Sequence, residues 1–270
     1  MGMRGRTYPI MFVNGVALEY RLVPGDPSKP TLVLLHEGLG CVAMWKNFPD
    51  LLAAITGCTV FVYSREGYGG SDPIALPRPL EYMTREAIEV LPNVLACAGI
   101  KRYVLIGHSD GASIALVYAG NTKDPGLCSV VVIAPHVIAE ECGIDSIKTI
   151  DAAFCDGGLR RRLHRYHGTN VDCAFLGWRG VWLDPNFMHW TIVADLAGIE
   201  VPLLLIQGCE DEYGTMQQLR KIEGAVRSTP KTVELRDCGH SPHFDCADET
   251  VAAIAEFCRQ TASAKELERR

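Results

Sequence analysis

Five short runs of the chain are apolar without interruption: Thr31–Leu35, Thr59–Tyr63, Tyr103–Ile106, Ser129–Ala134 and Pro202–Ile206. They are rich in β-branched residues and lack the alternation of a half-exposed strand. Such runs predict strands covered on both faces, as in a parallel sheet. Ala17–Leu22 alternates loosely and predicts a more exposed strand, closed by a Pro/Gly/Asp-rich turn at Pro24–Pro30. Lys231–Leu235 adds a last strand. Between the runs, apolar positions recur at helical spacing over Thr84–Ala98, Ser109–Ala119 and Met216–Ile222. A final helix over Thr250–Gln260 carries Val251, Ile254, Ala255 and Cys258 on one stripe. Strand alternating with helix predicts an α/β doubly wound sheet.

One stretch breaks the alternation. From about Val137 to Leu196 no buried-strand run occurs, and aromatic and histidine residues crowd together, among them Phe154, His167, Phe175, Trp178, Trp182, Phe187 and Trp190. A segment of this kind between two core strands predicts an inserted helical cap. The organisation expected is therefore a core from 1–136, a helical cap from 137–198, and the rest of the core from 199–270.

Composition narrows the function classes. With 270 residues, 48% of them hydrophobic, the chain can build one large core. A net charge of −6 argues against a nucleic-acid or anionic-membrane partner. No apolar run reaches the roughly 18 residues of a membrane span. The charged start Met1–Arg6 has no apolar stretch behind it, so no signal peptide is expected. The 11 cysteines are scattered without a CxxC pair, which predicts small buried or half-buried thiols in a reducing cytoplasm rather than disulfides or a zinc site. The expected partner is a small-molecule substrate, with no cofactor and no metal; self-association into a homo-oligomer is left open.

The chemistry begins at Gly107-His108-Ser109-Asp110-Gly111, between a strand and a helix. Two glycines there permit the sharp turn that lifts a serine hydroxyl above a sheet edge, with helix N–H groups aimed at the same spot. A serine nucleophile needs a base, and the base an orienting carboxylate. Gly239-His240 follows the last strand, and Asp211 follows Pro202–Ile206, giving the chain order Ser109, Asp211, His240. Glu210 and Glu212 flank Asp211 as alternative acids, and His243 is an alternative base. His240, His243 and Asp245 could also be read as a metal cluster, but they lack helical HExxH spacing.

These motifs together resemble the α/β-hydrolase superfamily, its capped, esterase-like serine branch. The resemblance includes His36-Glu37-Gly38-Leu39-Gly40 after the strand Thr31–Leu35, similar to an HGxxG oxyanion loop, and the turn Ser64–Ser71. It implies an α/β-hydrolase fold, a mostly parallel sheet flanked by helices with an inserted helical cap. It implies Ser109 as nucleophile, His240 as base and Asp211 as its orienter, with backbone N–H groups of Gly38 and Asp110 forming the oxyanion hole. Leu39, His136, Trp178 and Trp182 are the candidates for substrate contact.

One residue departs from the pattern. Glu37 stands where the family has glycine, and a carboxylate there would oppose a developing oxyanion. The expectation is that Arg65, after the neighbouring strand, pairs with Glu37 and turns its charge away. The run Arg160, Arg161, Arg162 and Arg165 reads as a solvated helix face or as the source of one arginine for a substrate carboxylate. The expected function is cofactor-independent hydrolysis of a small ester through an acyl-enzyme. Hydrolysis of a carbon–carbon bond in a β-diketone or vinylogous keto acid is the alternative within enzymes. A ligand-binding receptor with a slow or vestigial triad is the alternative of another class. Serine at the elbow disfavours dehalogenase and epoxide hydrolase chemistry, which would place a carboxylate there.

Overall fold

The structure, a computed structural model, describes residues 8–267, with side chains up to Thr261. The expectation for Met1–Arg6 lies outside these. Among the described residues no helix is long and apolar enough to cross a membrane.

Strands β1 (Ile10–Val13) and β2 (Val16–Val23) form an antiparallel hairpin, and β2 pairs antiparallel with β4 (Val60–Tyr63). From β4 onward the pairings are parallel, through β3 (Thr31–Leu35), β5 (Tyr103–His108), β6 (Leu127–Ile133), β7 (Leu203–Gly208) and β8 (Lys231–Leu235). The order across the sheet is β1-β2-β4-β3-β5-β6-β7-β8. Strand β1 is an addition to the sequence reading. Its Ile10 and Phe12 are exposed, so it lacks a buried run, and it is set by the turn Asn14-Gly15, whose φ values of 51° and 85° suit a two-residue hairpin.

Helices cover both faces, which is why the core strands read as unbroken apolar runs. On one face Leu32, Leu34, Val60, Val62, Val104 and Ile106 pack against Phe48 and Leu52 of α1 (Phe48–Thr56) and against Val251, Ile254 and Phe257 near the C-terminus. On the other, Val33, Leu35, Tyr63, Leu105 and Val132 lie in the larger cluster. That cluster takes in α2 (Tyr82–Arg85) and α3 (Leu91–Cys97), joined by a π turn at Glu86–Val90, and α4 (Asp110–Asn121).

Between β6 and β7 the chain forms α5 (Glu141–Cys155), α6 (Gly158–His167), α7 (Val171–Trp182) and three short 3-10 turns. Its entry and exit lie side by side: Ile138 and Thr191 form a bridge, and Ile192 N–H donates to Val137 O. The amide of Gln218, in α8 (Gln217–Ala225), fixes this neck by accepting from the N–H groups of Val137 and Ile138. The insertion docks on two core loops. His167 Nδ1 accepts the Gly69 N–H, its Nε2 meets Leu39 O at 2.8 Å, and Asn170 donates to Ser71 O. After β8, α9 (Pro242–Asp245) and α10 (Ala247–Leu267) complete the chain.

The chain runs from β3 outward to β4, then crosses back to β5 on the other side of β3. This reversal opens a crevice beyond the carboxyl ends of β3 and β5. The two strands are in register there, Leu35 opposite Gly107, so the loop starting at His36 and the elbow at Ser109 leave the sheet as neighbours.

Candidate active site

The elbow is built by steric necessity. Ser109 has φ 53° and ψ −118°, a conformation that costs a non-glycine residue about 1–3 kcal/mol. A Cβ on Gly107 would lie 2.2 Å from Gly111 O, and one on Gly111 would lie 2.0 Å from Leu35 O. Both obstacles are backbone, so only glycine fits. The turn ends at the start of α4, whose first N–H groups have no acceptor within the helix.

His240 reaches Ser109 from the loop after β8. Its Nε2 is 3.0 Å from Ser109 Oγ, and its Nδ1 is 2.8 Å from Asp211 Oδ1. The Asp211 contact requires Nδ1 to carry the proton, leaving Nε2 to accept from the serine. Asp211 side-chain exposure is 1%. Burial alone would raise its carboxyl, but the His240 hydrogen bond and charge and the Tyr213 N–H bring it below the ordinary range. Gly214 N–H and Gln207 Nε2 donate to it as well. Glu210 and Glu212, the alternative acids, are exposed and bond neither histidine. His240 itself is fixed through its carbonyl, 2.7 Å from His108 Nε2.

A cavity of about 310 Å³ opens over this relay. Gly38, Leu39, Asp110, His136, Trp178 and Trp182 all line it, so the structure brings every candidate site residue together. His136 is buried, its ring 5.1 Å from that of Trp182 and 5.5 Å from that of His240. Burial and the neighbouring His240 push it down to about 3, so it is a neutral wall at physiological pH. Trp182 donates through its indole to the Tyr82 hydroxyl, which donates to the Asp110 carboxylate. His243 is buried, packed against Trp45, Phe48 and His108, and has no part in the relay.

Two expectations are corrected. Arg65 does not pair with Glu37. Its Nη1 and Nη2 donate to the main-chain oxygens of His36 and Glu37, and Nη2 lies 3.8 Å from Asp110 Oδ2, so the guanidinium is occupied before it can reach the Glu37 side chain. Glu37 instead folds back on its own loop, where Oε2 accepts the Leu39 N–H. Burial pushes this carboxyl up to about 7, assisted by Asp110 and opposed by Leu39, Arg65 and His240. Of the two readings of the α6 arginines, the solvated face holds: Arg160, Arg161, Arg162 and Arg165 are exposed, none lines the cavity, and Arg160 pairs with Asp172. The cysteines are not all sheltered: Cys97, Cys142, Cys155 and Cys209 are exposed. No group of three or more potential metal ligands occurs among the described residues.

The sequence reading missed Tyr213, Gln207 and His108. Tyr213 packs its ring 4.6 Å from that of His240 and gives its N–H to Asp211. Each neighbours a residue that was identified, but only the folded loop reveals its role.

Comparison with known proteins agrees with this fold. The pattern of the alpha/beta hydrolase family matches residues 32–253. The chain belongs to the alpha/beta hydrolase family. This alpha/beta hydrolase is 23% identical to a proline iminopeptidase of Lactobacillus helveticus, over 91% of this chain and 95% of that protein. It is 31% identical to the 2-succinyl-6-hydroxy-2,4-cyclohexadiene-1-carboxylate synthase of Salmonella paratyphi C, but the match covers only 42% of each protein. Among solved structures, the enol-lactonase of Burkholderia xenovorans superposes with a TM-score of 0.71 at 19% identity, covering 92% of this chain and 99% of the lactonase, a likeness of fold.

Proposed function

We propose that this alpha/beta hydrolase cleaves a small, largely apolar ester through an acyl-enzyme on Ser109. The observation that carries the reading is the continuous hydrogen-bonded line Ser109 Oγ–His240 Nε2 and His240 Nδ1–Asp211, beneath a cavity of about 310 Å³. Ser109 Oγ attacks the carbonyl carbon as its proton passes to His240 Nε2. The tetrahedral oxyanion is held by the N–H groups of Gly38 and Asp110, and Asp211 stabilises the imidazolium. Collapse breaks the acyl–oxygen bond while His240 returns the proton to the leaving alcohol. Water then repeats the sequence in the opposite sense, releasing the acid and restoring Ser109. The helical insertion acts as a cap that excludes bulk water and limits the size of the acyl group.

The carbon–carbon alternative is weaker. A vinylogous keto acid presents a carboxylate, and no lysine or arginine is among the described residues lining the cavity. The receptor alternative leaves the complete relay without a task. A fluorophosphonate probe should label Ser109 in the folded protein, and p-nitrophenyl esters should turn over repeatedly. Ser109→Ala should lose both. Failure to label Ser109, or a single burst without steady turnover, would sink the reading.

A further inference from the structure

The cavity is electrostatically one-sided. Its acidic lining comprises Glu37, Glu212 and Asp110, with no lysine or arginine among the described lining residues. Cations nearby are engaged elsewhere. Arg65 holds the main-chain oxygens of His36 and Glu37, and Lys46 rests its ammonium 4.2 Å from the centre of the Phe244 ring. Asp110 Oδ2 accepts from Tyr82 and faces Arg65, its Oδ1 is buried out of reach without a hydrogen-bond partner among the described residues, and Glu212 is exposed at the rim. Glu37 differs from both. Its Oε2 holds the Leu39 N–H, while Oε1 has no hydrogen-bond partner among the described residues. It therefore presents an uncommitted acceptor beside Gly38. Trp178, Trp182 and Tyr213 supply aromatic walls, whose faces attract cations and offer a carboxylate nothing.

Resting on the reading of this cavity as the substrate site, we propose that Glu37 is its specificity-determining residue, selecting acyl groups that carry a protonated amine and rejecting those that carry a carboxylate. Partial burial strengthens the contact, because a charge pair shielded from water is weakened less by solvent. The selection is graded by pH. Glu37 is held near 7 by burial, with Asp110 raising it and Arg65 and His240 lowering it; Tyr213 and Cys41 also feel its charge. Its negative charge grows above that pH, so preference for the ammonium form rises from about pH 6 to about pH 8.

The test separates binding from turnover. Methyl ε-aminocaproate, methyl heptanoate and monomethyl pimelate match in chain length and differ in terminal charge. Their binding to the Ser109→Ala protein is read from the fluorescence of the cavity tryptophans. The expected result is binding of the ammonium ester roughly tenfold or more tighter than the pimelate ester at about pH 8, heptanoate lying between. Adding Glu37→Gln should bring the ratio close to one. The pH series on the protein that keeps Glu37 is the second measurement, needed if Glu37→Gln does not fold. Equal affinities, preference for pimelate, no binding of the ammonium ester, or a ratio that ignores pH or survives Glu37→Gln would each overturn the proposal. Selective binding in a protein that hydrolyses no ester and takes no fluorophosphonate would sink the hydrolase reading alone.

Discussion

Arg65 shows how one side chain can hold a cavity loop by its main chain without itself lining the cavity. It is 1% exposed, with both Nη groups on the carbonyls of the loop that bears Gly38 and its charge facing Asp110. Removing it strands a buried carboxylate and frees the loop together. Arg65→Met should lower unfolding stability by about 3–5 kcal/mol in urea titrations, the range for breaking a buried pair from one side. It should also lower kcat more than it raises KM. A loss under 1 kcal/mol with unchanged kcat would show that the loop holds itself. At this scale the sequence was legible where the chemistry demanded one residue type at one place, as for Ser109, His240 and Asp211. It was not legible for Glu37. Strand ends placed Glu37 and Arg65 near each other, but their pairing depended on which loop carbonyls turned toward the guanidinium, a property of backbone torsions.

The contact between the His36–Gly40 loop and α7 links the core to the insertion. A Cβ on Gly38 would fall 2.1 Å from Trp178 Nε1, so the glycine is needed for the close approach of the indole. Gly38→Ala should push α7 away and reduce kcat/KM by about tenfold or more, as expected when an oxyanion donor shifts. Trp178→Ala in the same chain should restore part of that loss, a non-additivity expected of touching residues. Strictly additive losses in a double-mutant cycle would show that the contact is not the cause. The core strands were legible because burial on both faces leaves an unbroken apolar run in the sequence. Strand β1 and the π turn at Glu86–Val90 were not. The first pairs through its main chain while exposing Ile10 and Phe12, so its only mark is the Asn14-Gly15 turn. The second alters hydrogen bonding inside a helix without disturbing its apolar stripe.

Across the whole molecule, five histidines are buried in the neutral state. Burial, with nearby charges, pushes His136 and His243 down to about 3, His167 to about 4, and His36 and His108 well below their ordinary value. Unfolding releases them to a value near 6.5, so below that pH the unfolded chain binds more protons than the folded one. Stability from these groups is complete above about pH 7 and declines as pH falls from about 6.5 toward 4. Melting temperature should fall across that interval, and His243→Phe should flatten the fall by removing one such group. A melting temperature unchanged from neutral pH to about 4 would show that these rings protonate without unfolding. The neck of the insertion carries a different consequence. Residues 139–190 leave and rejoin the core at adjoining points, clasped by Ile138–Thr191 and by Gln218. Whatever lies beyond that clasp can be lengthened, shortened or exchanged in evolution without re-registering a single strand, so new substrate preferences can arise while the reaction chemistry is inherited intact.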